Sequence, residues 1–333
     1  MFRVFLILIF IVGALSSSKL EIIKKRGFLR CGVNSNLPGF SQKDRDGIWR
    51  GLDVDFCRAV AATILRDSSK VKFIPLETNN RFKALKRGKI DILSRNTTQT
   101  ESRDTTLGVD FIGVIYYDSE GFMVPKALSI KSIKELDGAT ICIKSNTTTE
   151  LNLDDYFKSH QMQYKALKFK TNEELIQAFD DKKCDVISGD ISGLHAQKSL
   201  LKEPEKLVIL EEKISREPLS PAVKEGDFRW RDTVKWIREA LLLAEAKDIN
   251  STTVDNIKTT TKDSEIKRLL GIEGTTCQNL HLDSDCFYRA IKQVGNYGEI
   301  FEKNIGKNSP LRIERGLNGL WKDGGLMYPL PFR

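Results

Sequence analysis

Two hydrophobic periods alternate along most of this chain. Short runs that are apolar at consecutive or alternate positions, such as "FLRCGV", "KVKFIPL" and "IDILS", predict strands. Between them "GLDVDFCRAVAATILRD" and "NRFKALKRG" carry apolar residues at three- and four-residue spacing, which predicts helices. The order strand, helix, strand, helix, strand is that of a parallel sheet with helices on its faces. After the extended "VIYYDSEGFMVPK" the order restarts: helical "SIKELDG", strand "ATICIK", helical "TTTELNLDDYFKSH", strand "YKALKFK", helical "NEELIQAFDDKK" and strand "CDVISGD". A second α/β unit of about the same size is implied. From about Pro218 the pattern is mostly helical, as in "FRWRDTVKWIREALLLAEAKD" and "CFYRAIKQVGNYGEIFEKNIG". With little strand of its own, this region is expected to pack on one of the two units.

One punctuation occurs twice, in "ALKRGKIDILSRN" and in "AFDDKKCDVISGD": a helix end, a basic turn, an aspartate, an apolar strand, then polar residues. Ligands of parallel sheets sit beyond the carboxyl ends of strands, so two such clusters facing each other would form a cleft. The first cluster is the richer. Ser94, Asn96, Thr97, Thr98 and Thr100 offer hydrogen bonds, and Arg103 offers a planar fork suited to a carboxylate.

Composition narrows the setting. At 333 residues, 40% hydrophobic and 29% charged, the chain is globular and long enough for two domains. It begins "MFRVFLILIFIVGALSSS", a basic residue, an apolar run from Val4 to Leu15 and then small residues, which is the pattern of a secretory signal peptide cut after Ser16, Ser17 or Ser18. The run is shorter than the ~20 residues of a membrane span, although a retained anchor is the alternative. No later stretch has spanning length, so the mature chain is expected to be exported and soluble.

In an exported chain six cysteines read as disulfides rather than metal ligands. Cys31 ends a strand and Cys57 opens the next helix; Cys142 and Cys184 sit at two strands; Cys277 and Cys286 bracket a short loop. Pairs 31 with 57, 142 with 184, and 277 with 286 are expected, among the 15 pairings that six cysteines allow. Closing the first loop stabilises by roughly 3 to 4 kcal/mol in the loop-entropy model. The net charge of +8 falls to +7 when Arg3 leaves, and the basic residues are scattered. No basic run is interleaved with aromatics, which argues against a nucleic-acid partner.

The motifs, in order and spacing, resemble those of the family 3 solute-binding proteins of polar amino acid ABC transporters. They are "GLDVDFCRAVA", "RFKALKRGKIDIL", "TQTESR", "LDGATICIKSNTTTE" and "CDVISGD". The cysteine positions, "SRNTT", "NTTTELNLDDYF" and the tail "IKQVGNYGEIFEKNIG" are most similar to the general L-amino-acid-binding subgroup. The resemblance implies a type II periplasmic-binding-protein fold: two α/β lobes, each a mostly parallel sheet flanked by helices, with a two-strand hinge near Tyr117 to Pro125 and Ile214 to Ala222. Residues 1–18 are then the signal peptide, 19–120 the first part of lobe 1, 121–217 lobe 2, and 218–333 the rest of lobe 1 with a helical extension.

It also implies a periplasmic, monomeric protein that captures L-amino acids between its lobes and delivers them to an inner-membrane ABC permease, without cofactor, metal or catalysis. Arg103 ends the family's Thr-x-x-Arg pattern and receives the ligand α-carboxylate; Thr98 and the main chain of Asn96 lie beside it. From lobe 2, Thr147, Thr148 and Thr149 match a Gly-Thr-Thr segment whose amides favour an anion, and Asp190 pairs with the ligand ammonium. Asn146 replaces the glycine of that segment, and asparagine tolerates the left-handed backbone it requires. Side-chain discrimination falls to Asn34, Leu37 and Thr78. All three are smaller or uncharged compared with many relatives, which implies a roomy, unselective pocket. Two alternatives stand beside this reading, an enzyme on the same fold resembling cyclohexadienyl dehydratase and a ligand-sensing partner of a membrane receptor. His160, His195 and His281 fall outside the strand ends, so none is placed as a general acid or base.

Overall fold

The strand segments "FMV" and "TICI" are apolar at almost every position, and such strands need cover on both faces. The computed structural model, which describes residues 18–333, supplies it. Alternate residues of a strand point to opposite faces. Phe122, Val124, Ile141 and Ile143 therefore pack on one side with Leu153 and Phe157, while Met123, Cys142 and Ile187 pack on the other with Leu175 and Leu194.

That sheet has the strand order Lys165–Phe169, Thr140–Lys144, Val186–Asp190, Glu120–Pro125, Leu207–Ile209. A second sheet has the order Val71–Pro75, Leu29–Val33, Ile92–Leu93, Ala222–Lys224, Val109–Phe111. In each, four strands run one way and one opposes them, Glu120–Pro125 and Ala222–Lys224 respectively. The opposing strands have one cause. Each follows a crossing between the sheets, and a chain arriving at the carboxyl ends of the other strands must run back against them. The crossings, Tyr116–Asp118 and Glu217–Leu219, pair antiparallel with Tyr117 opposite Pro218.

The repeated punctuation has a shared physical role. Asp91, ahead of Ile92–Leu93, exchanges its own amide for the Arg30 carbonyl (2.8 Å) and accepts the Arg30 amide on its carboxylate (2.8 Å). Asp185, ahead of Val186–Asp190, does the same with Thr140 at 2.8 and 2.8 Å. In both sheets an aspartate thus sets the register of the central strand, and with it the height at which the polar residues emerge.

The C-terminal helices have no core separate from the first sheet. Trp230, Val234 and Ile237 of helix Phe228–Ala246, with Phe287 and Phe301 farther on, belong to the same buried cluster as Cys31, Val33, Val54 and Val60. The expected single segment "CFYRAIKQVGNYGEIFEKNIG" is two helices, Cys286–Val294 and Tyr297–Asn304. Gly295 breaks it, and the Asn296 side chain caps the second helix by accepting from the Glu299 amide at 2.9 Å. Disulfides join Cys31 to Cys57, Cys142 to Cys184 and Cys277 to Cys286, with Cα separations of 6.3, 5.8 and 6.0 Å. The apolar run from Val4 to Leu15 lies outside the described residues. Among the described residues no helix is long and apolar enough to cross a membrane.

Candidate functional site

The strand Ile92–Leu93 ends in "SRNTTQT", and most of the hydroxyls there hold the loop rather than face a ligand. Asp53, buried in the first turn of helix Leu52–Leu65, accepts from Ser94 Oγ (2.8 Å) and from the Asn96 amide (2.9 Å). Gly51, just before that helix, lets the chain pass close to Phe40: a Cβ there would stand 2.0 Å from the Phe40 carbonyl oxygen, and its φ is 131°. Thr97 Oγ1 donates to the Arg95 carbonyl at 2.8 Å. Thr100 caps helix Glu101–Thr106 by accepting from the Arg103 amide at 3.3 Å. The Thr-x-x-Arg spacing is therefore a helix cap that fixes where the arginine starts. Its guanidinium donates to the Thr98 carbonyl (2.8 Å) and lies 5.8 Å from the Phe82 ring centre.

On the opposite side Asn146 adopts the left-handed backbone expected of it, with φ 60°. Thr147 Oγ1 donates to the Lys144 carbonyl at 2.8 Å, and helix Thr149–Ser159 follows. Asp190 ends the strand Val186–Asp190, just before helix Ile191–Lys198. All the expected ligand residues line one cavity of about 70 Å³ between the two sheets except Thr149, whose side chain is buried in its helix. Helix geometry explains the exception, because consecutive positions cannot all face one cavity.

Two of the expected ligand groups have protein partners of their own. The Asn96 amide donates to Asp53 Oδ2 at 2.9 Å. The Thr98 hydroxyl donates to Glu217, on the second crossing strand, and so does Thr148 Oγ1 at 3.0 Å. Asn152 Nδ2 (2.6 Å) and Ser215 Oγ (3.0 Å) also donate to Glu217. One carboxylate at the hinge thus ties Thr98 on one side of the cleft to Thr148 and Asn152 on the other. The pocket is also less neutral than Asn34, Leu37 and Thr78 imply, because Arg81, Arg95 and Lys144 share it. Thr78 Oγ1 is itself held by Arg95 Nη2 at 3.3 Å.

Arg95 and Lys144 carried a signal in the sequence, since both stand at carboxyl ends of strands, where ligands of such sheets sit. Arg81 carried none. It lies at the start of a helix in a lysine- and arginine-rich stretch, where a charge is usually solvated.

Four buried or partly buried carboxyls, Asp118, Glu120, Asp190 and Glu217, converge where the crossings meet the second sheet. Burial pushes Glu120 up to about 8, against hydrogen bonds from Asn152 and Ser188. Burial pushes Asp118 up to about 6, opposed mainly by the Ser192 hydroxyl. Asp190 is raised well above the usual carboxylate range by burial and then by the fields of Asp118, Glu217 and Glu120; Arg103 opposes the rise. Burial likewise lowers Arg103, while Glu217 and Asp190 restore part of its affinity for the proton.

The unfolded chain returns Asp118, Glu120 and Asp190 to their ordinary range near pH 4. Between about pH 4.5 and 8 the folded chain therefore holds more protons than the unfolded one, and its stability falls as pH rises through that window. His195, lowered by burial, opposes this in the lower part of the window, and Lys144, lowered by burial to about 8, opposes it at the upper end. The ligand-free protein should melt at a higher temperature at pH 5 than at pH 8, measured by scanning calorimetry, and Glu120→Gln should flatten the difference. Equal melting temperatures for wild type and variant across that range would contradict the assignment.

Arg103 and Asp190 reach the cavity from opposite sheets, and among the described residues no ion pair joins them to each other or to any other side chain. A cation and an anion held apart across a gap suit a zwitterion between them.

The chain is 50% identical over 323 residues to the General L-amino acid-binding periplasmic protein AapJ of Rhizobium johnstonii, covering 96% of this chain and 94% of that one. It is 47% identical to the Glutamate/glutamine/aspartate/asparagine-binding protein BztA of Rhodobacter capsulatus, covering 97% and 96%. A solved ABC transporter periplasmic binding protein from Brucella ovis, with glutathione bound, superposes with a TM-score of 0.93 at 47% identity, covering 95% of this chain and 100% of that one. The profile of the bacterial extracellular solute-binding proteins, family 3, matches residues 29–269. This chain, with its two sheets, paired crossings and charged cleft, belongs to the bacterial extracellular solute-binding proteins of family 3.

Proposed function

We propose that the protein captures free L-amino acids in the periplasm and hands them, as a monomer, to an inner-membrane ABC permease. Arg103 receives the α-carboxylate and Asp190 the ammonium. The carrying observation is the placement of these two groups on opposite walls of one cavity with no ion pair between them. Residues 19–120 with 218–333 move as one lobe and residues 121–217 as the other, about the pair Tyr116–Asp118 and Glu217–Leu219. The ligand completes contacts that neither lobe makes alone, which couples binding to closure. We read the protein as a binding protein and not an enzyme, in line with what its relatives are called.

Stripping the protein of bound ligand by partial unfolding, refolding it and titrating it with each of the twenty L-amino acids tests this. Several should bind by calorimetry and raise the melting temperature, by mass action on the folded state. No heat and no shift with any of them would overturn the proposal.

A further inference from the structure

The match to the family profile ends at residue 269. Three side chains beyond that point nevertheless hold the first crossing, Tyr116–Asp118, and the residue before it. Tyr297 Oη donates to the Ile115 carbonyl at 2.8 Å. The Phe301 ring stacks on Tyr116, with centres 6.1 Å apart and planes 8° apart. Asn318, 3% exposed, accepts the Tyr117 amide on Oδ1 at 2.6 Å and donates from Nδ2 to the Tyr117 carbonyl at 3.0 Å. None of the three lines the cavity that holds Arg103 and Asp190.

The second crossing creates the need for Asn318. Pro218 stands opposite Tyr117 with no amide hydrogen to give, and its own carbonyl accepts from the Gln99 amide at 2.9 Å. Both main-chain groups of Tyr117 therefore point away from the ribbon and need partners elsewhere. A side-chain amide, which carries a donor and an acceptor, completes them as a third strand would. Asn318 is itself held: its carbonyl accepts from Arg315 Nε at 3.1 Å and Nη2 at 2.9 Å, and Arg315 pairs with Glu245 of helix Phe228–Ala246 at 2.9 Å.

From the next residue on, the partners change sides. Asp118 accepts from the Ser192 amide at 3.3 Å, the Ser119 carbonyl from the Ile191 amide at 2.8 Å, and Ser215 Oγ from the Glu120 amide at 2.9 Å. Ile115 to Tyr117 are thus fastened beside the first sheet, and Asp118 to Glu120 beside the second. The two sides touch across the cleft, where Asn172 Nδ2 donates to the Asn36 carbonyl at 3.1 Å. The contacts of Asn318 are therefore part of the closed form.

We propose that Asn318 is a positioning residue for ligand capture: with Tyr297 and Phe301 it fixes the first crossing up to Tyr117, so that closure turns about Asp118 and Ser119. The inference rests on the reading of lobe closure above and gives the C-terminal extension a part in it. A crossing that bends at one place loses less conformational freedom on closing than one that bends anywhere. Loosening it lowers the fraction of protein able to close, and apparent affinity falls by that fraction whatever the ligand.

Calorimetry on the full mature chain, stripped of ligand and titrated with the twenty L-amino acids well below each variant's melting temperature, tests this. Asn318→Ala should weaken every amino acid that the wild type binds by one common factor, about three- to thirtyfold, the worth of one or two hydrogen bonds. Tyr297→Phe removes only the bond to Ile115 and keeps the ring, so it should act in the same direction with a smaller factor. It serves if the buried asparagine cannot be replaced without unfolding. Affinities left unchanged by both variants, even with lowered melting temperatures, would make these contacts merely structural and overturn the proposal. A loss confined to some ligands would overturn it too, because a residue that acts through closure cannot tell one side chain from another. Failure of every amino acid to bind the wild type sinks the reading beneath it as well.

Discussion

Arg103→Ala should weaken amino-acid binding by about 30-fold to several thousand-fold, the equivalent of ~2 to 5 kcal/mol for leaving one partner of a desolvated charge pair alone. The fold should survive the change. Helix Glu101–Thr106 has no buried residue, and among the described residues the guanidinium's one acceptor is the Thr98 carbonyl at 2.8 Å. Burial already disfavours its charge when no ligand is present. The melting temperature of the stripped variant should therefore match or exceed that of the stripped wild type, while the ligand-induced rise disappears. Arg103→Lys keeps the charge but loses the two-pronged geometry, so it should recover only part of the affinity. Titration calorimetry at one pH and one salt concentration checks all three. Undiminished affinity in Arg103→Ala would remove this residue from the site.

That the arginine could be picked out of the sequence, and Arg81 could not, follows from where each gets its position. Arg103 is placed by a local device, a threonine cap three residues earlier, shortly after a strand whose aspartate sets its register against Arg30. Arg81 is placed by tertiary packing alone, and its neighbours Lys83, Lys86, Arg87 and Lys89 make it look like part of a solvated face. The hinge carboxylates are hidden for a related reason. Asp118, Glu120 and Glu217 come from two separate segments that no period in the chain relates, whereas Asp190 stood out at the end of the repeated strand pattern. Strands such as Val109–Phe111 and Leu207–Ile209 are three residues long, too short for an alternation to show. The two sheets themselves were legible, because long apolar runs bounded by polar turns can only be buried from both sides.

Trp230→Ala should cost about 3 to 5 kcal/mol of stability, the range for emptying a large aromatic site in a packed core. Trp230 is 1% exposed, and its Nε1 donates to the Asp91 carbonyl at 2.9 Å. The same Asp91 holds the Arg30 amide and pairs with Arg26 and Arg30. Removing the indole therefore leaves a cavity and strips a partner from the turn that sets the register of Ile92–Leu93, the strand leading into the cleft loop. Trp230→Phe fills most of the space but cannot donate, so the gap between the two variants isolates the hydrogen bond, expected near 1 kcal/mol. Urea denaturation of the stripped proteins measures both. A loss below about 1 kcal/mol for Trp230→Ala would mean that helix Phe228–Ala246 merely rests on the first sheet, since a residue that completes a shared core cannot be deleted so cheaply. The larger loss would make the C-terminal helices part of what holds Arg103 at its station, although none of them touches the cavity.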